Sequence, residues 1–195
     1  MLKELIDTFE ELKKYVYIID RGTRGKIIIK FTNDKFYHLV GLHKTNINMF
    51  IPEKIVSKDK KYKYLKKNVD RFNNILKNQI KEKDSLELRI ISFHNIIDLL
   101  DNNKSKMLYD LRQKTPGSMY DGDYGLLKIF EDLNCLLGLK SETKLNDIIY
   151  CAPQSWMSST RVNKLVENRK VIYMKDITKI PINLFNEDYI KEPVA

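Results

Sequence analysis

The sequence predicts an α+β fold, in which helices come first and an antiparallel sheet follows. Before residue 100, most apolar residues outside one hairpin recur at helical spacings of three and four. From Met107 onward they alternate or form short runs that turn-forming residues separate, which is typical of strands. The 195 residues contain no internal repeat and no linker, so we expect a single domain over residues 1–195.

The N-terminal part is predicted to form a helix, a hairpin and a short second helix. An amphipathic pattern covers residues 1–16, with Leu2, Leu5, Ile6, Phe9, Leu12 and Val16 on its apolar face. Two apolar runs, residues 15–20 and 26–31, flank a glycine-containing turn and predict the hairpin. Asn33 or Asp34 is expected to cap the short helix, which ends near Gly41 and packs through Phe36, Leu39 and Val40.

The rest of the chain divides into two helices and several strands. After Pro52 one long helix is predicted, with Leu65, Val69, Phe72, Leu76 and Ile80 on its buried face, and a second helix covers residues 86–100. Strands are predicted at residues 107–113, 124–130, 135–139, 147–151 and 169–175, with turns at residues 115–118 and 121–125. Pro153 is expected to end the fourth of these strands, and Thr160 to cap a short helix before the fifth.

The formal net charge is +9, and residues 54–83 alone contribute +8, with eleven bases and three acids. A localised basic surface attracts polyanions. The competing interpretation is a solvated helix face that binds nothing, and composition does not choose between the two. On the first interpretation Lys60, Lys61, Lys66 and Lys67 are candidate nucleic-acid-binding residues, on a docking face separate from any catalytic cleft.

Several function classes lack support in the sequence. There is no apolar run of the ~20 residues that a membrane helix needs, and no signal-peptide pattern. The two cysteines form no disulfide framework, so a cytoplasmic location in the host cell is expected, and Cys135 is predicted to lie in the core. Paired zinc-ligand spacings, glycine-rich phosphate loops and a serine-hydrolase motif are missing, so we expect no cofactor and no metal site.

The densest group of polar residues for chemistry is Phe36-Tyr-His-Leu-Val-Gly-Leu-His-Lys44. Two imidazoles and an ammonium suit RNA cleavage without a metal: one His removes the 2′-hydroxyl proton, the other protonates the 5′-oxygen, and Lys44 balances phosphate charge. On an unbroken helix His38 and His43 would point ~140° apart, unless Gly41 breaks the helix. The third histidine, His94, is interpreted as a helix-packing residue.

The same segment resembles the F-x-H-L-x-G-L-x-K signature of phage-associated domains in the barnase–EndoU–colicin–RelE nuclease superfamily. A second match is Tyr150-Cys-Ala-Pro-Gln-Ser-Trp156, which is similar to a late Y-x-P-x-S-F segment of those domains. The resemblance implies a helical N-terminal part packed on a four-stranded antiparallel sheet. It also implies a catalytic role for His38 and Ser155, with His43 and Lys44 in the same segment, and phosphate contacts from Arg169, Lys170 or Lys175.

The resemblance therefore implies a metal-independent endoribonuclease of a phage or mobile element, acting as a toxin or in host conflict, with RNA or a ribonucleoprotein as its target. An antitoxin or a host defence protein is a possible further partner, and no membrane is expected. The alternative is a non-catalytic anti-defence protein, such as an anti-CRISPR-type inhibitor that covers a nucleic-acid-binding surface on a host enzyme. A structural phage accessory without chemistry ranks last.

Overall fold

The computed structural model describes residues 1–80, 84–101, 106–113, 121–130, 133–158 and 161–186. Within these ranges the helices are α1 (Leu2–Leu12), α2 (Phe36–Leu39), α3 (Lys58–Lys67), α4 (Val69–Ile80), α5 (Asp84–Ile91), α6 (Asn95–Asp101) and α7 (Arg161–Val166). The strands are β1 (Tyr15–Asp20), β2 (Lys26–Lys30), β3 (Lys106–Asp110), β4 (Tyr124–Phe130), β5 (Leu133–Leu145), β6 (Ile148–Ser158), β7 (Lys170–Ile172) and β8 (Asp176–Pro181).

All eight strands belong to one mixed sheet in the order β7-β3-β4-β5-β6-β2-β1-β8. The α+β class is confirmed, but the predicted four-stranded antiparallel sheet is wrong. The hairpin β1–β2 does not pack on a separate sheet, because β2 pairs in parallel with β6 and so extends the sheet. Strand β8 then adds to the outer side of β1 in antiparallel fashion.

The sheet curls into a half-barrel. Seven spacings of about 4.8 Å would put the two edge strands of a flat eight-stranded sheet about 34 Å apart. The edges are β7 and β8, and they are joined by residues 173–175 alone. Four Cα–Cα steps reach at most about 15 Å, so the two edges must approach each other.

Apolar side chains on both faces of the sheet are buried. Leu137 and Leu139 of β5 belong to the main core, which helices α1 to α6 cover. Leu136, the residue before Leu137, belongs to a smaller core beneath α7. Since neighbouring residues of a strand point to opposite faces, α7 packs on the face opposite the other helices. Cys135 is fully buried, as predicted.

The predicted helices are shorter than their apolar patterns indicate. Helix α1 ends at Leu12, and Val16 lies in β1, where it is also buried. The long basic helix is two helices, because Asn68 leaves the helical conformation at φ −124° and ψ 37°. A 3₁₀ turn at Ser92–His94 divides the next helix into α5 and α6. No side chain caps the short helix: Asn33 instead donates to the Asp59 carboxylate.

The strand predictions fail mainly at Pro153 and at the C-terminal end. Strand β6 continues through Pro153 to Ser158, because a register shift opposite Gly138 and Leu139 accommodates the proline. The predicted strand at residues 169–175 is the three-residue β7, and β8 was not predicted. The predicted turn at residues 115–118 and the cap at Thr160 lie outside the described residues. No helix in the described ranges has both the length and the apolar character to cross a membrane.

Candidate active site

A cleft opens where β2 separates from β6. The two strands pair only as far as Ile29 and Cys151, whereas β6 continues to Ser158. The chain leaving β2 enters α2, which packs with α5 against the continuing part of β6. The result is a cavity of about 460 Å³ lined by His38, His43, Lys44, Arg89, Asp121, Gln154, Ser155 and Met157.

Gly41 brings the two histidines to this cleft. It has a φ of +83°, in the left-handed region that favours glycine. Helix α2 therefore stops, and a 3₁₀ turn at Leu42–Lys44 reverses the direction of the chain. The imidazoles of His38 and His43 come to lie 4.5 Å apart between ring centroids and stack at an interplanar angle of 30°. The ~140° separation expected of an unbroken helix does not apply here.

The packing of α2 leaves His38 beside the core and not in it. Phe36, Leu39 and Val40 are fully buried, as predicted, while His38 is half-buried and His43 is exposed. The Nδ1 atom of His43 lies 3.4 Å from the carbonyl oxygen of Tyr37. A proton on Nδ1 is therefore directed at that carbonyl, and the neutral ring keeps its free lone pair on Nε2.

The surroundings lower the pKa of both imidazoles. For His38 the causes are burial and then the charges of His43, Lys58 and Lys35. For His43 they are burial and the charges of Arg89, Lys44 and Lys58, partly offset by the Tyr37 carbonyl. Because each imidazolium disfavours a second one beside it, the pair favours states in which at most one ring is protonated.

Ser155 and Arg89 line the cleft from two different elements, β6 and α5. Ser155 lies on β6, and its Oγ is buried with no hydrogen-bond partner among the described residues. Arg89 lies on α5 and is 9% exposed. Arg89 was not among the predicted site residues, since a single arginine within an apolar helix pattern carries no signal of a site. Among the described residues that line this cavity, Asp121 is the one carboxylate, and Lys140 Nζ lies 3.1 Å from it.

The bases predicted on the last strand lie elsewhere. Arg169, Lys170 and Lys175 do not line the cavity. Lys170 is on β7, which β3, β4 and β5 separate from β6 in the sheet order. Lys175 follows β7, and its backbone N–H donates to the carbonyl of Asp20. Arg89, and not Arg169, Lys170 or Lys175, is the buried cation that lines the cavity among the described residues.

The lysines predicted on the basic helix are on α3, with different environments. Lys60 and Lys67 are exposed, while Lys61 Nζ lies 3.5 Å from the side-chain oxygen of Asn48. Lys66 pairs with Glu10 at 3.2 Å. The positive charge of Lys58, in the first turn of α3, lowers the pKa of both His38 and His43. The basic helix was expected to be separate from the cleft, and none of its residues lines the cavity, but its first turn lies near enough for Lys58 to influence both imidazoles.

The third histidine is not a packing residue. His94 is exposed, and its ring lines a different groove, between α1 and the end of α5. Its Nδ1 lies 2.8 Å from the carbonyl of Ile91. Within the described ranges, no three His, Cys, Asp or Glu side chains come together as a metal site would require.

Comparison of the chain with family models, with curated proteins and with solved structures found no match. The geometry of the cleft is therefore the basis for the functional argument.

Proposed function

We propose that the chain is an endoribonuclease that cleaves RNA by transesterification in the cleft between α2, α5 and β6. The observation that carries this proposal is the stacked pair of imidazoles, 4.5 Å apart, in a cavity with two further cations, Lys44 and Arg89. General acid–base catalysis needs one neutral and one protonated imidazole, and the mutual repulsion of the two rings favours that state.

The proposed roles follow from the hydrogen bonding of His43. With Nδ1 directed at the Tyr37 carbonyl, Nε2 of neutral His43 removes the proton from the 2′-hydroxyl. The 2′-oxygen attacks phosphorus, the bond from phosphorus to the 5′-oxygen breaks, and His38 protonates that oxygen. The products are a 2′,3′-cyclic phosphate and a free 5′-hydroxyl, and Lys44 stabilises the charge that develops on the phosphate.

A chimeric oligonucleotide tests this reaction. The substrate is a labelled DNA strand with one internal ribonucleotide, incubated with the full chain in excess EDTA. We expect cleavage directly 3′ of the ribonucleotide, leaving a 2′,3′-cyclic phosphate, and a rate ~10²–10⁴-fold lower for His38→Ala. His94→Ala is the matched control, since it removes an imidazole outside the cleft, and should cleave like the parent chain.

Two outcomes would contradict the proposal. The first is cleavage by His38→Ala at the parent rate, with both chains folded by circular dichroism. The second is an intact substrate under all conditions. Tight binding of a host nucleoprotein by the same inactive chain would then support the anti-defence inhibitor.

A further inference from the structure

Arg89 is buried without a partner for its charge. Its side chain is 9% exposed, and burial lowers the pKa of the guanidinium. In the part of the chain that the structure describes, no carboxylate pairs with Arg89 and no oxygen accepts a hydrogen bond from its guanidinium. Buried arginines are ordinarily paired, because an uncompensated buried charge costs free energy. A guanidinium that lines a cavity without a carboxylate beside it is suited to bind an anion there.

The fold restrains Arg89 at its backbone and along its side chain. Trp156 on β6 donates from Nε1 to Ser92 Oγ at 3.0 Å, and Ser92 Oγ in turn lies 3.5 Å from the Arg89 carbonyl oxygen. On the other side, a Cβ at Gly41 would lie 2.8 Å from Arg89 Cδ. The Arg89 backbone is thus linked to β6 through Ser92, and its side chain passes close to Gly41 at the end of α2.

A second polar group without a partner lines the same cavity. Ser155 precedes Trp156 on β6, and its buried Oγ has neither donor nor acceptor among the described residues. A guanidinium presents a planar fork of N–H donors, and a hydroxyl adds one more. Together, the N–H donors of Arg89 and the hydroxyl of Ser155 are the groups that bind the oxygens of a tetrahedral phosphate.

We infer that Arg89 and Ser155 form an anion site that binds the non-bridging oxygens of a phosphate group beside the histidine pair. The inference rests on the proposed function only in taking that group to be the phosphodiester of RNA. Free inorganic phosphate has the same chemistry, so the experiment includes both. Asp121 on the rim lies 3.1 Å from Lys140 Nζ, and it is not among the causes that shift the pKa of Arg89.

The experiment measures binding, without turnover, on the full chain. The imidazole NMR signals of His38 and His43 are titrated against pH in three conditions: no ligand, inorganic phosphate, and an all-deoxy oligonucleotide. A bound anion favours the imidazolium, so at least one of the two ligands should raise both histidine pKa values. In Arg89→Met that rise should disappear and the dissociation constant should weaken at least tenfold. Arg24→Met, which removes an exposed arginine, is the matched control and should behave like the parent chain.

Thermal melting separates binding from a structural role. Without ligand, Arg89→Met should melt at the parent temperature or above, because it removes an unpaired buried charge. Arg89→Lys keeps the charge without the fork, and should bind phosphate more weakly than the parent chain.

The inference is overturned if neither ligand shifts the histidines of the parent chain, if Arg89→Met binds as tightly, or if it melts far below the parent chain. Arg89-dependent binding without RNA cleavage would refute the proposed function and leave the anion site standing. RNA cleavage without Arg89-dependent binding would refute the anion site and leave the proposed function standing.

Discussion

Gly41 has a positive φ and close neighbours where a Cβ would stand, and both favour a residue without a side chain. Its φ of +83° is strained for an L-residue, and a Cβ there would lie 2.8 Å from Arg89 Cδ and 2.9 Å from Leu86 Cδ1. The same residue ends α2 and turns the chain so that His43 returns to His38. At the scale of the residue, one backbone angle therefore decides whether the two imidazoles share a cleft.

Gly41→Ala should lower the free energy of unfolding and separate the histidines. The left-handed conformation alone costs about 1–2 kcal/mol for alanine, and displacement of Arg89 and Leu86 adds to it. Gly22→Ala is a matched control, because Gly22 also has a positive φ of +61°, yet its added Cβ would approach only the Tyr173 ring, at 3.5 Å. Urea unfolding should show the larger loss for Gly41→Ala. Equal losses of unfolding free energy in the two variants would mean that Arg89 moves away from the added Cβ at no energetic cost.

Ser155 shows how far a residue's role was predictable. Its placement in the cleft agrees with the expectation drawn from the Y-x-P-x-S-F resemblance, although the fold that the resemblance implied is wrong in its sheet. The proximity of the histidines was open, because it depends on a backbone angle that no periodicity reveals. Arg89 was missed because its significance depends on tertiary packing: among the described residues, no carboxylate pairs with it.

At the scale of the element, the contact between β6 and the turn after α5 sets the wall of the cleft. Trp156 is fully buried, donates to Ser92 Oγ, and meets the Phe93 ring edge to face, at 6.3 Å between centroids and an interplanar angle of 87°. Because Ser155 and Arg89 flank this contact in sequence, it fixes the two walls relative to each other.

Trp156→Phe should lower the free energy of unfolding by about 2–4 kcal/mol, through a cavity and a lost hydrogen bond. Ser92→Ala separates the two causes, since it leaves the ring in place but removes the acceptor of its N–H. It should cost about 1–3 kcal/mol. Urea unfolding of both variants measures this. Losses below about 0.5 kcal/mol for both would show that the contact does not join the elements.

Helix α3 is predicted to guide the substrate to the cleft. Lys66 is held by Glu10: burial alone would raise the pKa of that carboxyl, but hydrogen bonds from Lys13, Tyr62 and Lys66 lower it to about 2. The lysines available for phosphate contacts are therefore Lys58, Lys60 and Lys67, which are exposed.

Replacing Lys58, Lys60 and Lys67 by Gln should weaken binding of single-stranded RNA and reduce the salt slope by up to about 0.7 for each lost phosphate contact. Filter binding at several salt concentrations measures the slope. A control triple, Lys3, Lys144 and Lys164 to Gln, removes the same charge from exposed positions off this helix and should change the slope less. Equal slopes for the two triples would mean that α3 is only a solvated face.

At the scale of the whole molecule, the sheet itself makes the cleft. The parallel pairing of β2 with β6 joins residues about 120 positions apart in sequence, and it stops at Cys151, about a third of the way along β6. Local patterns predicted the hairpin β1–β2 and the neighbouring pair β4–β5, whose contacts are close in sequence. They carried no information on the long-range pairing or on β8. The four-stranded antiparallel sheet was implied by the family resemblance alone, and the structure has one mixed sheet of eight strands in the described ranges instead.

The central claim is that His38 and His43 act on one phosphate as acid and base. The most direct test is the pH dependence of kcat/KM for the chimeric oligonucleotide, which reports the free chain. Since the pKa values of His38 and His43 are both lowered from ~6.5, we expect a bell-shaped pH profile of kcat/KM with its maximum below pH 6.5. His43→Ala should lose the acidic limb, and His38→Ala the alkaline limb. A rate that rises steadily through pH 8, or a bell that both variants retain, would contradict the account.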